Sequence, residues 1–196
     1  SDTPRWNHVT SYLLKFDAQN WGTTHTSEYS GLDLYKKYTN HSSQTVSGLE
    51  HLEGKSVTAK VNGVVETKTV SSGAITLAST PSNATVYVGL PYTSTLAPLY
   101  VDAEGSMGSK KSVQHATIRF KDTLEAKVGQ KETGTYGENS VSVLDNVKFA
   151  SSSSLNTEDA EVWLANHNEF LQTVYVVSDT PQPCTVLAMV VDVEGV

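Results

Sequence analysis

The chain has 196 residues, of which 38% are hydrophobic and 18% charged, with a net charge of −7 and a pI near 5.3. This length and composition disfavour disorder throughout and allow a core to form without metals or disulfides. They suit one medium-sized domain, or one domain carrying a small inserted one. The acidic balance disfavours general nucleic-acid binding, because a negative surface repels phosphate groups.

The first 45 residues predict strand and loop more than helix. Residues 5–16 place apolar side chains at helical spacing, but the β-branched and aromatic residues among them favour a strand over 10–16. Residues 17–30 are polar and predict a loop. Residues 32–38 predict a second strand, which a turn at 39–43 ends.

A regular series of short strands follows. The predicted strands are 56–61, 64–70, 74–77 and 85–88. Asn62-Gly63 between the first two is the strongest short hairpin signal, because a type I′ turn needs positive φ at both positions. Four strands in about 35 residues indicate a compact sandwich-like or barrel-like subdomain.

The chain then leaves this subdomain and forms longer strands. Gly89-Leu90-Pro91-Tyr92 predicts an exit linker. Residues 112–121 predict an amphipathic strand that pairs with 124–128. The alternation puts Val113, His115, Thr117 and Arg119 on one face of it and Gln114, Ala116, Ile118 and Phe120 on the other.

The last third predicts strands with one ambiguous segment. Residues 141–149 predict a strand, whereas 157–164 fit either a helix start or a strand. Residues 171–178 and 185–193 predict an antiparallel pair around a proline-bearing turn at 179–183. The second of them is continuously apolar, which predicts a central strand buried on both faces.

These elements predict a mainly β fold with little helix. We expect an antiparallel β sandwich or barrel-like main domain formed by residues 1–47 and 93–196. A small β subdomain of residues 48–92 is inserted into it. No run reaches the roughly 18 apolar residues of a membrane span, so none is expected.

The sequence contains no motif that predicts a reactive centre. The histidines form no H-x-x-x-H pair, and His167-Asn168-Glu169 lacks the cysteine half of a zinc deaminase motif. The single cysteine, Cys184, cannot form an internal disulfide, and its apolar neighbours predict a buried, inert thiol. We therefore expect no enzyme activity, no cofactor and no metal.

Aromatic and acidic residues leave two alternatives open. Trp6, Trp21 and Trp163, with nine tyrosines, suit a core or subunit interface, and also a sugar-stacking platform. Acidic pairs such as Glu50 with Glu53 would be needed for a glycosidase, but such pairs are more typical of solvated surface.

Two segments carry a resemblance to a known family. They are VSGLEHLEGKSV at 46–57 and VGLPYTSTL at 88–96, and they bracket the small β subdomain. Together with the ending TVLAMVVDVE at 185–194, they resemble the tail tubular protein B or nozzle family of short-tailed bacteriophages. The resemblance covers about 150 residues. Members of that family are several times longer, so we expect a C-terminal region, a fragment or a reduced relative.

The resemblance implies a structural role in a phage virion. Such proteins form rings in the tail tube, let DNA exit without specific binding, and carry adaptor and fibre proteins. It implies assembly in the host cytoplasm and a final place in the virion tail. The alternative is a carbohydrate- or receptor-binding β module of a virion. The motif residues that we expect to shape the subdomain are Gly48, Leu49, His51, Leu52, Gly54, Gly89, Pro91 and Tyr92.

Overall fold

The computed structural model describes residues 30–99, 111–130, 145–164 and 173–195, and more than half of them lie in antiparallel strands. The strands are β1 Asp33–His41, β2 Thr45–Ser47, β3 Ser56–Val61, β4 Val64–Thr69, β5 Ala74–Thr76, β6 Ala84–Leu90, β7 Ser94–Leu96, β8 Lys111–Phe120, β9 Lys127–Gln130, β10 Asp145–Asn146, β11 Asp159–Trp163, β12 Val174–Ser178 and β13 Val186–Gly195. A 3-10 turn, Glu50–Leu52, follows β2. The predicted β class is thus confirmed, in a sandwich-like form whose sheets do not close into a barrel.

The first unit comprises β1 to β6. A four-stranded sheet in the order β1-β6-β3-β4 packs beside the β2-β5 pair. The predicted Asn62-Gly63 hairpin is confirmed, with φ of 47° and 93° at its two residues. The core between these elements consists mainly of fully buried aliphatic side chains: Val46, Leu49, Leu52, Val57, Ala59, Val70, Ile75, Leu77, Ala84, Val86 and Val88.

The first unit includes residues that the sequence analysis assigned to the main domain. Strand β1 pairs with β6 from Asp33 to His41, and β2 pairs with β5. Residues 33–47 therefore belong to the first unit, whereas the sequence analysis began the small subdomain at residue 48. The predicted strand over residues 10–16 lies outside the described residues.

The second unit comprises β7 to β13 and forms two sheets. Their strand orders are β10-β9-β12-β7 and β11-β8-β13. Alternate side chains of both sheets form one core: Val113, Ala116, Ile118, Phe120, Ala126, Val128, Ala160, Val162, Val174 and Val176. Phe120 and Phe149 meet edge to face within it, with ring centroids 5.1 Å apart. The ambiguous segment at 157–164 is thus a strand, β11.

Three predictions about strand pairing are wrong. Strand β12 pairs with β7 and β9, whereas β13 pairs with β8, so the last two strands are not partners. The segment around 124–128 pairs with β10 and β12 through β9 instead of with β8. Strand β13 lies at the edge of its sheet, where Leu187 and Val190 are exposed, so it is not buried on both faces.

A bulge in β8 moves Val113 to the face opposite the predicted one, whereas the predicted faces of residues 115–120 are confirmed. His115 pairs with Asp192, but Val113 pairs with the next residue of β13, which leaves Gln114 as an extra residue. Because an extra residue reverses the alternation, Val113 points into the core together with Ala116 and Ile118. A second irregularity, between Val186 and Ala188, places Leu187 outside the regular pairing.

Of the predicted exit linker at residues 89–92, only Pro91 and Tyr92 lie outside a strand. Gly89 and Leu90 belong to β6, and Gly89 is buried beside its neighbour strand β1. A Cβ atom on Gly89 would lie 2.7 Å from the Asp33 carbonyl oxygen and 2.9 Å from the Tyr35 Cβ. The close approach of β1 and β6 therefore requires glycine at this position.

None of the helical structure in residues 30–99, 111–130, 145–164 and 173–195 has the length and apolarity of a membrane span.

Replacing Gly89 by alanine tests this close approach. Because the added methyl group meets backbone atoms, β1 must shift, and we expect Gly89→Ala to lower the free energy of unfolding by about 2 kcal/mol. Gly54→Ala is the matched control, since a Cβ there meets nothing within 4 Å. Gly54→Ala should lower the free energy of unfolding by about 1 kcal/mol, because an alanine is strained at the φ of 71° found there. Urea unfolding measures both, and equal stability of Gly89→Ala and the parent chain would contradict the proposed clash.

Candidate functional site

The first signature segment closes one end of the first core. Leu49 and Leu52 flank the 3-10 turn and are fully buried. The Leu49 N–H donates to the Gly73 carbonyl at 2.8 Å, and the Gly54 N–H donates to the Val70 carbonyl at 3.1 Å. The segment is therefore attached through its backbone to the two ends of the turn between β4 and β5.

The Glu53 carboxylate holds that turn. Its two oxygens accept the N–H groups of Ser72 at 2.9 Å and of Gly73 at 2.7 Å. Ser72 and Gly73 have φ of 54° and 67°, and consecutive residues of this kind point their N–H groups toward one anion. The Glu50 side chain packs on Gly73, where a Cβ would lie 3.0 Å from the Glu50 Cγ. The Glu50 and Glu53 side chains therefore both contact this turn instead of only facing solvent.

Three side-chain bonds attach the same segment to β1. Lys36 Nζ donates to the Gly48 carbonyl at 3.0 Å, and the Tyr38 hydroxyl donates to the Ser47 carbonyl at 2.7 Å. His51 Nε2 lies 3.3 Å from the Leu34 carbonyl oxygen, so this nitrogen carries the proton in that contact. Burial, and secondarily the nearby Glu50, raise the pKa of Tyr38. His51 and Glu53, which resemble a catalytic pair in sequence, thus both contact backbone groups.

The second signature segment connects the two units. Leu90 packs against the first core, whereas Pro91 and Tyr92 are exposed. Tyr92 lines a shallow cavity of about 250 Å³ at the β7–β12 edge, together with Ser94, Ser178, Thr180 and Cys184. Burial raises the pKa of Cys184 to about 11, which keeps it as the neutral thiol at physiological pH.

A buried lysine lies at the junction of the two units. Lys60 is fully buried on the face of β3 that points away from the first core, beside Thr58 and Tyr87, which are also buried. Its Nζ donates to the Pro181 carbonyl at 3.0 Å, and Gln182 Nε2 donates to the Gly63 carbonyl at 3.2 Å. Burial lowers the pKa of Lys60 to about 8, although Glu125 acts in the opposite direction. The sequence analysis did not single out this lysine.

The outer face of the β11-β8-β13 sheet carries a second group of polar and aromatic side chains. Arg119 makes a bidentate pair with Asp159 at 2.7 Å for both bonds, and the pair is solvent-exposed. The rings of His115 and Trp163 lie 4.7 Å apart, and His115 Nδ1 is 3.2 Å from Asp192 Oδ2. Alternation in β8 predicted that His115 and Arg119 share a face, but not the partners on β11 and β13.

In the described part of the chain, no three histidine, cysteine or acidic side chains are grouped so that they could hold a metal ion. The residues that the sequence analysis selected are therefore placed for backbone contacts, core packing and the connection between the units.

Removing the Glu53 carboxylate tests the role of the first segment. Glu53→Ala leaves the Ser72 and Gly73 N–H groups without their charged acceptor, so we expect a loss of about 1–3 kcal/mol in the free energy of unfolding. Glu53→Gln keeps the shape and one acceptor oxygen, and should lose less. Hydrogen exchange at Ser72 and Gly73 should accelerate in both variants. Unchanged exchange and stability in Glu53→Ala would show that the carboxylate does not hold the turn.

The pH dependence of stability tests the burial of Lys60. Below about pH 8 the amine is protonated in the folded and unfolded chain, whereas between about 8 and its ordinary value of 10.5 only the unfolded chain stays protonated. Stability contributed at this position should therefore rise with pH across that interval, by about 1.4 kcal/mol for each unit of pKa shift.

Lys60→Met removes this titration while keeping an unbranched side chain of similar length. The difference in unfolding free energy between the parent chain and Lys60→Met, measured from pH 7 to 10, should change by about 2–3 kcal/mol in favour of the parent. Because the pKa of Cys184 is raised, its contribution to the unfolding free energy falls with pH over part of this range. This change is the same in both chains and cancels in the difference. Lys55→Met, at an exposed position, is the control. A constant difference for Lys60→Met would contradict the lowered pKa.

No family model matches this chain, and no curated protein matches it either.

Proposed function

We propose that this chain is a structural component of a phage virion tail, of the tail-tube or nozzle type. In this role it forms a ring through which DNA exits and offers a platform to neighbouring tail proteins. The observation that supports the proposal is the use of the first signature segment. Leu49 and Leu52 pack in the core, Glu53 binds the turn at 72–73, and His51 contacts β1. Residues in these roles build a rigid module, as a structural protein requires.

The charge of the chain is compatible with passage of DNA. With a net charge of −7, a ring of such chains presents few cations to a phosphate backbone. DNA would then slide through without being held by counterion release. No base-reading element is needed for this role, because the passage is independent of sequence.

Association measurements test the proposed role. We expect the mass from multi-angle light scattering to increase with protein concentration, and to increase further when an adaptor protein of the tail is added. Imaging of intact particles should place the chain in the tail in a copy number that matches a closed ring. A chain that stays monomeric at every concentration, and that ignores all tail partners, would overturn the proposal.

A glycan-binding or receptor-binding module is the second candidate. The observation on its side is Trp163, whose side chain is 72% exposed on a rigid sheet. The other two tryptophans lie outside the described residues. Titration of tryptophan fluorescence with host polysaccharides, in the parent chain and in Trp163→Phe, tests this candidate. It predicts a saturable signal that Trp163→Phe loses, and silence across a broad glycan panel would eliminate it.

A further inference from the structure

The outer face of the β11-β8-β13 sheet is exposed, although it carries large apolar side chains. One side of this sheet packs into the second core, and the other displays Trp163 from β11 and Val190 from β13. Trp163 is 72% and Val190 64% exposed, and no described residue covers them. Leu187 extends this apolar strip along β13. A rigid sheet that presents a tryptophan and aliphatic side chains to solvent has the composition of an interface core.

Two carboxylates lie on either side of His115, the β8 residue whose ring contacts Trp163. Glu161 lies two residues before Trp163 on the same face of β11, and Asp192 lies across the sheet beside His115. Their side chains are 69% and 76% exposed, so both remain accessible to a partner. An indole ring beside two carboxylates favours a cation, because the ring face and the carboxylates both attract positive charge. We call Trp163, Glu161, Asp192, Val190 and Leu187 the acidic face.

The first unit is less acidic than the second: with Lys60 buried, its other lysines and its acidic residues balance four to four. Residues 30–99 contain five lysines and four acidic residues, whereas the other described residues contain nine acidic and five basic ones. The exposed residues Tyr35, Lys36 and Lys37 follow one another on β1, at the edge of the first sheet. Lys36 lies on one face of the strand, whereas Tyr35 and Lys37, which both contact Tyr87, lie on the other. We call these three residues the basic edge.

The lysines of the basic edge are held in place before any partner binds. Lys36 Nζ bonds to the Gly48 carbonyl and lies 5.4 Å from the centre of the Tyr38 ring. Lys37 Nζ lies 5.4 Å from the centre of the Tyr87 ring. Because these side chains are already ordered, less conformational entropy is lost when they are buried in an interface.

We propose that the acidic face of one copy of this chain docks onto the basic edge of a second copy. The two surfaces are different and lie in different units, so the contact is head-to-tail and leaves one free surface of each kind on every pair. Such a contact repeats around a ring. This inference rests on the proposed tail function and adds to it the surfaces through which neighbouring subunits meet.

Charge and composition favour a protein partner over a glycan at this face. The aliphatic side chains of Val190 and Leu187 on β13, two strands away from Trp163, offer no hydrogen bonds to sugar hydroxyls, but they can be buried against Tyr35 and the lysine stems. The attraction between exposed charges is screened by salt, so the association should weaken as ionic strength rises.

Charge reversal on each surface tests the contact by sedimentation velocity at low and high ionic strength. Glu161→Lys combined with Asp192→Lys should weaken self-association about tenfold or more, and Lys37→Glu about fivefold. Lys36 is left unchanged because it also bonds to Gly48. A chain that carries Glu161→Lys, Asp192→Lys and Lys37→Glu together should regain part of the association, since a reversed acidic face then meets a basic edge on which one lysine is reversed.

Mixing the variants gives a second readout. The chain with the reversed acidic face and the chain with the reversed basic edge should each associate poorly alone. When mixed they should form mixed complexes, because the unchanged basic edge of the first chain binds the unchanged acidic face of the second. Asp145→Lys and Lys148→Glu, at exposed positions outside both surfaces, are the matched controls and should associate like the parent chain. Circular dichroism and urea unfolding identify any variant that fails to fold. In that case, Glu161→Gln with Asp192→Asn replaces the reversal and should weaken association less.

The outcomes separate this inference from the proposed function. Association that all reversals leave unchanged would overturn the assignment of the surfaces while leaving a ring-forming tail protein in place. A parent chain that is monomeric at every concentration would overturn the contact, and binding to an adaptor protein would then still decide the tail function. Quenching of Trp163 by neutral glycans, without any self-association, would assign the face to a sugar instead.

Discussion

The burial of the Lys60 amine constrains how the two units are joined. An amine inside a protein needs hydrogen-bond acceptors, and the Pro181 carbonyl supplies one from the second unit. The turn that carries this carbonyl is stiffened by Pro181 and Pro183 and is bonded to Gly63 through Gln182. The turn is therefore held against the back of the first sheet. The separation of the basic edge from the acidic face within the chain depends on this junction.

The signature segments contain residue types that suggest catalysis, but in the folded chain these residues have structural roles. A histidine and a glutamate two positions apart suggest acid–base catalysis, yet in the folded chain they bind a backbone carbonyl and two backbone N–H groups. A carboxylate that satisfies a turn with two positive φ angles replaces several weaker contacts by one charged acceptor.

Local patterns in the sequence predicted the first unit well and the second unit less well. Asn62-Gly63 and the alternation around it define a hairpin by neighbouring residues alone, so β3 and β4 could be predicted. The face of Val113 could not, because the bulge at Gln114 depends on the pairing with β13. The partners of β12 and β13 are distant in sequence. At the site, Leu49 and Leu52 were identifiable by their apolar character, whereas the roles of Glu53 and Lys60 exist only in the tertiary structure.

The irregular pairing of β13 has a consequence for solubility. A long, flat and apolar strand at a sheet edge is a template for cross-β stacking between many copies. The irregularities next to Leu187 and Asp192 leave only a few regularly paired residues between them, and bulges twist the edge away from flatness. The negative charge of Asp192 adds repulsion between identical strands. Among the described strands, β13 thus combines exposed apolar side chains with irregular pairing that works against regular cross-β stacking.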